Sequence, residues 1–177
     1  MSLCLTFELL DHPEPLELLR AGVERVRQTE DTRIDASPTY TIGPGLAAVD
    51  LEVSQEPRVY QALLFVLLEV DLWERKFLEI PSVLAGGIRY EAEPPGVEWW
   101  RSSYAIRHRG AGDCEDLATD YAAELTLDGQ QAAPLLELDA AEPGKGRRFH
   151  VVTLATDAAG DVQRFDVSRE IEEKLWD

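Results

Sequence analysis

The run Leu3–Leu10 reads as a strand that ends at the Asp11-His12-Pro13 turn. Leu16, Leu19, Val23 and Val26 recur at helical spacing, which predicts a helix from Pro15 to about Gln28. Turn formers fill Thr29–Gly45, and Ala47–Val53 suits a short strand. The clearest helix runs from Pro57 to about Leu78. Proline fits its first turn, and Val59, Leu63, Val66, Leu67, Val70 and Trp73 make a broad apolar face. Pro81, Gly86-Gly87 and Pro94-Pro95-Gly96 mark a loop-rich connector. A helix is expected from Asp113 to about Leu127, stopped by Asp128-Gly129. Strands follow at about Ala132–Leu138, Arg147–Thr156 and Val162–Val167. Between them lie turns at Glu142–Gly146 and Asp157–Asp161, the second suited to a hairpin, and a short helix fits Ser168–Asp177.

Composition narrows the function classes. The chain has 177 residues and 45% hydrophobic content, enough for one domain or one domain with an N-terminal extension. Its net charge of −17 repels phosphate backbones and anionic bilayers, so neither nucleic acid nor a membrane is expected as a partner. The most apolar stretch, Ala62–Leu68, is followed by Glu69 and Asp71 and is too short to cross a bilayer. No secretory signal pattern opens the sequence. Two cysteines, Cys4 and Cys114, make no disulfide framework, which suits a reducing compartment.

The residues with chemical potential are Cys114, His150 and Asp166. Cys114 stands where the run Gly112-Asp113-Cys114-Glu115-Asp116 enters a helix, His150 lies in a strand, and Asp166 closes the next strand. A thiol at a helix N-terminus gains from the unpaired N–H groups and the dipole, a histidine takes its proton, and an aspartate fixes the imidazole tautomer. The acids beside the cysteine oppose this, because negative charge raises a thiol pKa. Asp113, Glu115 and Asp116 are therefore expected to point away or to be neutralised by Arg107, Arg109 or Arg147. For Asp113 and Asp116 a helix-capping role is the preferred reading. Trp99, Trp100 and Tyr104 are candidates for the cleft or a second oxyanion donor, with packing under the cysteine loop as the alternative for the tryptophans. His12 and His108 have turn and surface contexts. No cofactor is expected. A metal on Cys114, His150 and nearby carboxylates lacks the paired spacing of such sites, and no Asp-x-Asp-x-Asp-Gly calcium loop is present.

The segment Gly110–Ala118, with Phe149-His150-Val151-Val152 and Phe165-Asp166-Val167-Ser168-Arg169, resembles the transglutaminase-like branch of the papain-like cysteine peptidase superfamily. It looks most like small transglutaminase-like proteins of tailed bacteriophages and prophages, in which a stretch similar to Gly87–Gly96 precedes the cysteine loop. The resemblance covers about residues 58–170. It implies an α+β fold in which the cysteine helix packs on an antiparallel sheet carrying His150 and Asp166. It also implies a nucleophile at Cys114, a base and acid at His150 and an orienting carboxylate at Asp166. Residues 1–55 match nothing in the family and are expected to be an N-terminal extension of unknown role, with the cysteine-enzyme domain at 56–177.

Two functions follow as expectations. One is a cysteine protease, amidase or transglutaminase-like acyl transferase that acts on a protein or peptide through a thioester. Hydrolysis is the favoured outcome, because a small open site admits water. The other is a catalytically silent structural or assembly protein that binds phage structural proteins with the same fold. Either places the chain in the cytoplasm of a bacterial host or in a virion.

Overall fold

The strand and helix patterning at the start of the chain does not mark a part that folds away from the rest. A computed structural model describes residues 2–94, 98–138 and 149–174. Strand β1 (Ser2–Leu10), helix α1 (Pro13–Thr29) and strands β2 (Asp35–Ala36), β3 (Tyr40–Gly43) and β4 (Leu46–Ser54) precede helix α2 (Pro57–Phe77). A 3-10 turn at Val83–Ala85 leads to β5 (Arg89–Tyr90), β6 (Glu98–Arg101), α3 (Ser103–Arg109) and β7 (Ala111–Gly112). Then come α4 (Cys114–Leu127), β8 (Gln131–Leu138), β9 (Phe149–Thr156), β10 (Val162–Phe165) and α5 (Val167–Lys174). The fold is α+β.

The first sheet has the order β2-β4-β1-β6, with β3 also paired to β4. β1 is its centre. It runs antiparallel to β4 from Ser2↔Ser54 to Leu10↔Leu46, and parallel to β6 from Leu5↔Glu98 to Glu8↔Arg101. Leu5, Phe7 and Leu9 alternate into the core and are at most 1% exposed. They share one apolar cluster with Leu51, Val53, Leu63, Leu67, Trp100, Cys114, Ala118 and Val151. Of the segment expected as an N-terminal extension, residues 1–55, the described residues 2–54 are thus built into the same core as the cysteine helix. The physical reason is the parallel β1–β6 ladder: β6 is four residues long and obtains its order from β1.

A second sheet, β8-β9-β10, is antiparallel throughout. Helix α4 packs on it, with Thr153 Oγ1 donating to the Ala118 carbonyl at 2.8 Å. The small residues Ala118, Ala122 and Ala123 are buried in α4 and permit this close approach. Helix α2 covers the free edge of β8, where Gln61 donates to the Pro134 carbonyl at 2.9 Å and accepts from the Leu136 amide at 2.8 Å. The expected hairpin at Asp157–Asp161 joins β9 to β10, closed by Asp157 N–H to the Asp161 carbonyl at 3.1 Å.

Sequence patterning did not anticipate β2 and β3 inside Thr29–Gly45, nor β5, β6, α3 and β7 inside the connector. These elements span two to seven residues, too few for a readable period, and exist through their neighbours. The expected turn at Glu142–Gly146, Pro95-Gly96, the start of the strand at Arg147 and the last residues of the C-terminal helix lie outside the described residues.

Candidate functional site

Helix α3, which leads into the loop that presents Cys114, is capped by two carboxylates of α2. Asp71 and Glu74 are fully buried, and they meet the N-terminal amides of α3: Ser103 N–H donates to Asp71 Oδ1 at 2.6 Å and Tyr104 N–H to Glu74 Oε2 at 2.7 Å. Glu74 Oε1 also accepts from Ser102 Oγ at 2.9 Å and from the Leu10 amide at 3.1 Å. Orphan helix donors and dipole are satisfied together, which explains why two acids sit in the core. The other end of α3 leads into β7, which pairs parallel with β5 and brings the 89–93 segment beside the cysteine loop.

At the start of α4, Asp116 reaches back to its own N-cap. Its Oδ2 accepts from the Asp113 amide at 3.2 Å, its Oδ1 accepts from the Arg101 amide at 2.6 Å, and the Arg101 guanidinium lies 3.2 Å from Oδ2. The loop is tight: a Cβ on Gly112 would stand 3.0 Å from the Asp116 Cβ, so a larger residue there would press on the carboxylate that closes the cap. Burial pushes the Asp116 carboxyl up to about 7, against the opposing pull of Arg101.

Cys114 occupies the first turn of α4 and is only 8% exposed. Its thiol donates to Glu115 Oε2 at 3.1 Å, and it makes no hydrogen bond to His150 among the described residues. Burial, then the charge of Asp113, push the thiol up to about 12, although its bond to Glu115 and one from the Val151 backbone pull the other way. Asp113 and Asp116 form the capping box expected of them at the start of α4, but the acids beside the cysteine do not point away from it. Asp113 and Glu115 are 6% and 1% exposed and crowd the sulfur instead of pointing away. Burial holds both carboxyls far above the usual range, helped at Asp113 by the charges of Glu115 and Asp116 and at Glu115 by those of Cys114 and Asp116, while a hydrogen bond from Asp113 pulls Glu115 the other way. Asp116 is neutralised, but by Arg101. Arg107 pairs with Asp120 at 2.9 Å and Arg109 with Glu8 at 3.1 Å, while Arg147 lies outside the described residues.

His150 and Asp166 do meet. Nε2 of His150 lies 3.1 Å from Oδ1 of Asp166, and both side chains are partly exposed. The hairpin register explains the contact. Phe165 opposes Thr153, so Asp166 stands one step further, opposite Val152 and diagonal to His150 on the same face. Burial opposes ionisation of Asp166, yet hydrogen bonds from Ser168 and His150, the His150 charge and the Arg169 amide outweigh it and hold the carboxyl below its ordinary range. Glu137 on β8 directly opposes His150, and a two-pronged contact from Arg164 at 2.6 and 2.8 Å keeps it in place. The β9–β10 ladder ends at Phe165–Thr153, and beyond it the Val151 backbone turns to the Cys114 sulfur. The thiol therefore borders the residue next to His150, but its side-chain partner is Glu115.

The other candidates separate. Trp100 is fully buried, with ring centroids 5.5 Å from Phe7 and 5.9 Å from Tyr60, and packs the core. Trp99 is 39% exposed, and Arg101 lies over its ring. Tyr104 directs its hydroxyl at the Gly45 turn. His12 stacks on Trp73, and His108 is exposed beside Tyr104. Residues that sequence reasoning missed are Glu93 and Arg101. The Glu93 side chain is 7% exposed, its Oε1 accepts from the Trp99 amide at 2.7 Å, and burial followed by the charge of Asp116 lifts its carboxyl to about 8. Their signal, an acid and a base in a Pro-rich connector, is indistinguishable from a solvated loop. No helix among the described residues is long and apolar enough to cross a membrane. No protein-family model matches the chain, and no curated protein matches it.

Proposed function

We propose that the protein is a cysteine-dependent acyl-transfer enzyme of the transglutaminase-like, papain-like type, attacking an amide carbonyl of a protein or peptide. The observation that carries this reading is the 3.1 Å contact of His150 Nε2 with Asp166 on a sheet against which the cysteine helix packs. With Nε2 committed to the carboxylate, Nδ1 is the ring nitrogen available to a thiol proton. The sulfur attacks the carbonyl carbon as its proton passes to His150. The C–N bond then breaks, the amine leaves with that proton, and a thioester remains on Cys114. Water, or an amine in a transglutaminase-type reaction, gives a proton to His150 and releases the acyl group. The Cys114 amide, free of any i−4 partner in the first turn of α4, suits the oxyanion.

In the resting arrangement the thiol is neutral and bound to Glu115, so attack requires it to turn from Glu115 towards His150. That same bond favours a second reading: a catalytically silent binding module, in a phage-type setting a structural or assembly protein. Iodoacetamide labelling of Cys114, followed by intact mass in a Cys4→Ser background, separates the two. An enzyme labels at Cys114 while folded, and His150→Ala slows the reaction by tenfold or more. A rate that His150→Ala leaves unchanged assigns the silent module.

A further inference from the structure

We propose that Glu93, Asp113 and Glu115 form a divalent-cation site beside Cys114. Three separate features of the fold converge there. The β5–β7 pairing and the Trp99 amide place Glu93, the N-cap of α4 places Asp113, and its first turn places Glu115. Each residue offers an oxygen within 4.8 Å of those of the other two. Oxygens that share a calcium ion, each about 2.3–2.6 Å from it, stand at most about 5 Å apart, so the three fit around one ion without rebuilding the loop.

A second observation points to a missing ligand. Asp113 is 6% exposed, and its Oδ1 is buried with no hydrogen-bond partner among the described residues. Such an oxygen is expensive to bury unless something satisfies it. Counter-charge is also short. Arg101 spends itself on Asp116 at 3.2 Å and reaches Glu93 only at 3.9 Å, and among the described residues neither Asp113 nor Glu115 has an ion-pair partner. Three buried carboxyls with one distant guanidinium call for a cation or for protons. The donor set is hard oxygen, and the sulfur of Cys114 enters as a thiol donating to Glu115, so calcium, manganese or magnesium fits better than zinc. A bound cation would compete with the thiol for the Glu115 carboxylate and change the partner of Cys114.

This inference does not rest on the acyl-transfer reading, and its test does not read activity. EDTA-treated protein is titrated calorimetrically with Ca2+, Mn2+ and Mg2+, and its melting temperature is followed in parallel. Saturable binding of one equivalent of at least one ion, with a rise in melting temperature, is expected. Glu93→Gln retains an oxygen for the Trp99 amide, and Asp113→Asn retains a competent N-cap, so both should fold; each should weaken binding by tenfold or more. Glu172→Gln with Glu173→Gln, on the exposed face of α5, should leave it unchanged. Non-saturable uptake spread over many weak sites, no binding at millimolar ion, or saturable binding that survives both site variants overturns the proposal.

Discussion

The imidazole of His150 and the carboxylate of Asp166 are joined through Nε2 and Oδ1 at 3.1 Å, across the β9–β10 hairpin. This contact fixes a tautomer. Where the ring is neutral, nitrogen-detected NMR should find the proton on Nε2, and Asp166→Ala should mix the two tautomers. A ring protonated on Nδ1 in the wild type would contradict the geometry.

Asp116 is fully buried and takes bonds from the Arg101 amide, the Arg101 guanidinium and the Asp113 amide. Asp116→Ala leaves a guanidinium and two amides without their acceptor. Removing one partner of a buried pair costs about 3–5 kcal/mol, and urea unfolding should report a loss in that range. A loss below about 1 kcal/mol, the scale of exposed pairs, would show that the Arg101–Asp116 arrangement does not hold the cysteine loop.

Stability should fall as pH rises through neutrality. Burial, against bonds from Tyr104, Leu10 and Ser102, lifts Glu74 from 4.5 to about 7, with the charge of Asp120 adding to the rise. Asp71 is also raised, by burial and then by Asp120 and Glu74, against Ser103 and Arg75. A folded-state pKa above the unfolded one stabilises fully below the unfolded value and loses that stabilisation as pH climbs through the folded value. The window for Glu74 is therefore from about 4.5 to about 7. With EDTA and constant ionic strength, the melting temperature should be several degrees lower at pH 8 than at pH 5. A flat or rising profile would count against this account of the α3 cap.

Gly22 of α1 packs directly against Val66 of α2. A Cβ there would lie 2.5 Å from Val66 Cγ1. Glycine to alanine inside a helix normally gains about 0.5–1 kcal/mol, but overpacking costs about 1–3 kcal/mol. Gly22→Ala should thus destabilise by about 1–2 kcal/mol, and Val66→Ala in the same chain should recover part of the loss. A stabilised single variant would mean that the helices part easily.

Long amphipathic segments were legible because their period repeats. α2 begins at Pro57 as expected and ends at Phe77, one residue short of expectation, and α4 begins within one residue of the expected start. The order of Cys114, His150 and Asp166 on helix start, strand and strand end was readable too, since helix-entry residues and hairpin turns are local signals. The facing of the acids around Cys114 was not. Every residue from Cys114 to Asp120 is buried, so polarity in that half of α4 does not mark a solvent side.

The sequence alone thus determined which segments fold as long helices and strands, and it singled out Cys114, His150 and Asp166 as candidates, because propensity, periodicity and turn chemistry act over a few neighbours. Tertiary structure decided that residues 2–54 supply the central strand of the first sheet, that Arg101 neutralises Asp116, and that Glu93 joins Asp113 and Glu115 beside the thiol. Those outcomes depend on parallel pairing across about ninety residues and on the direction of side chains into a shared interior. Both are settled by packing between elements, not by the order of residues within them.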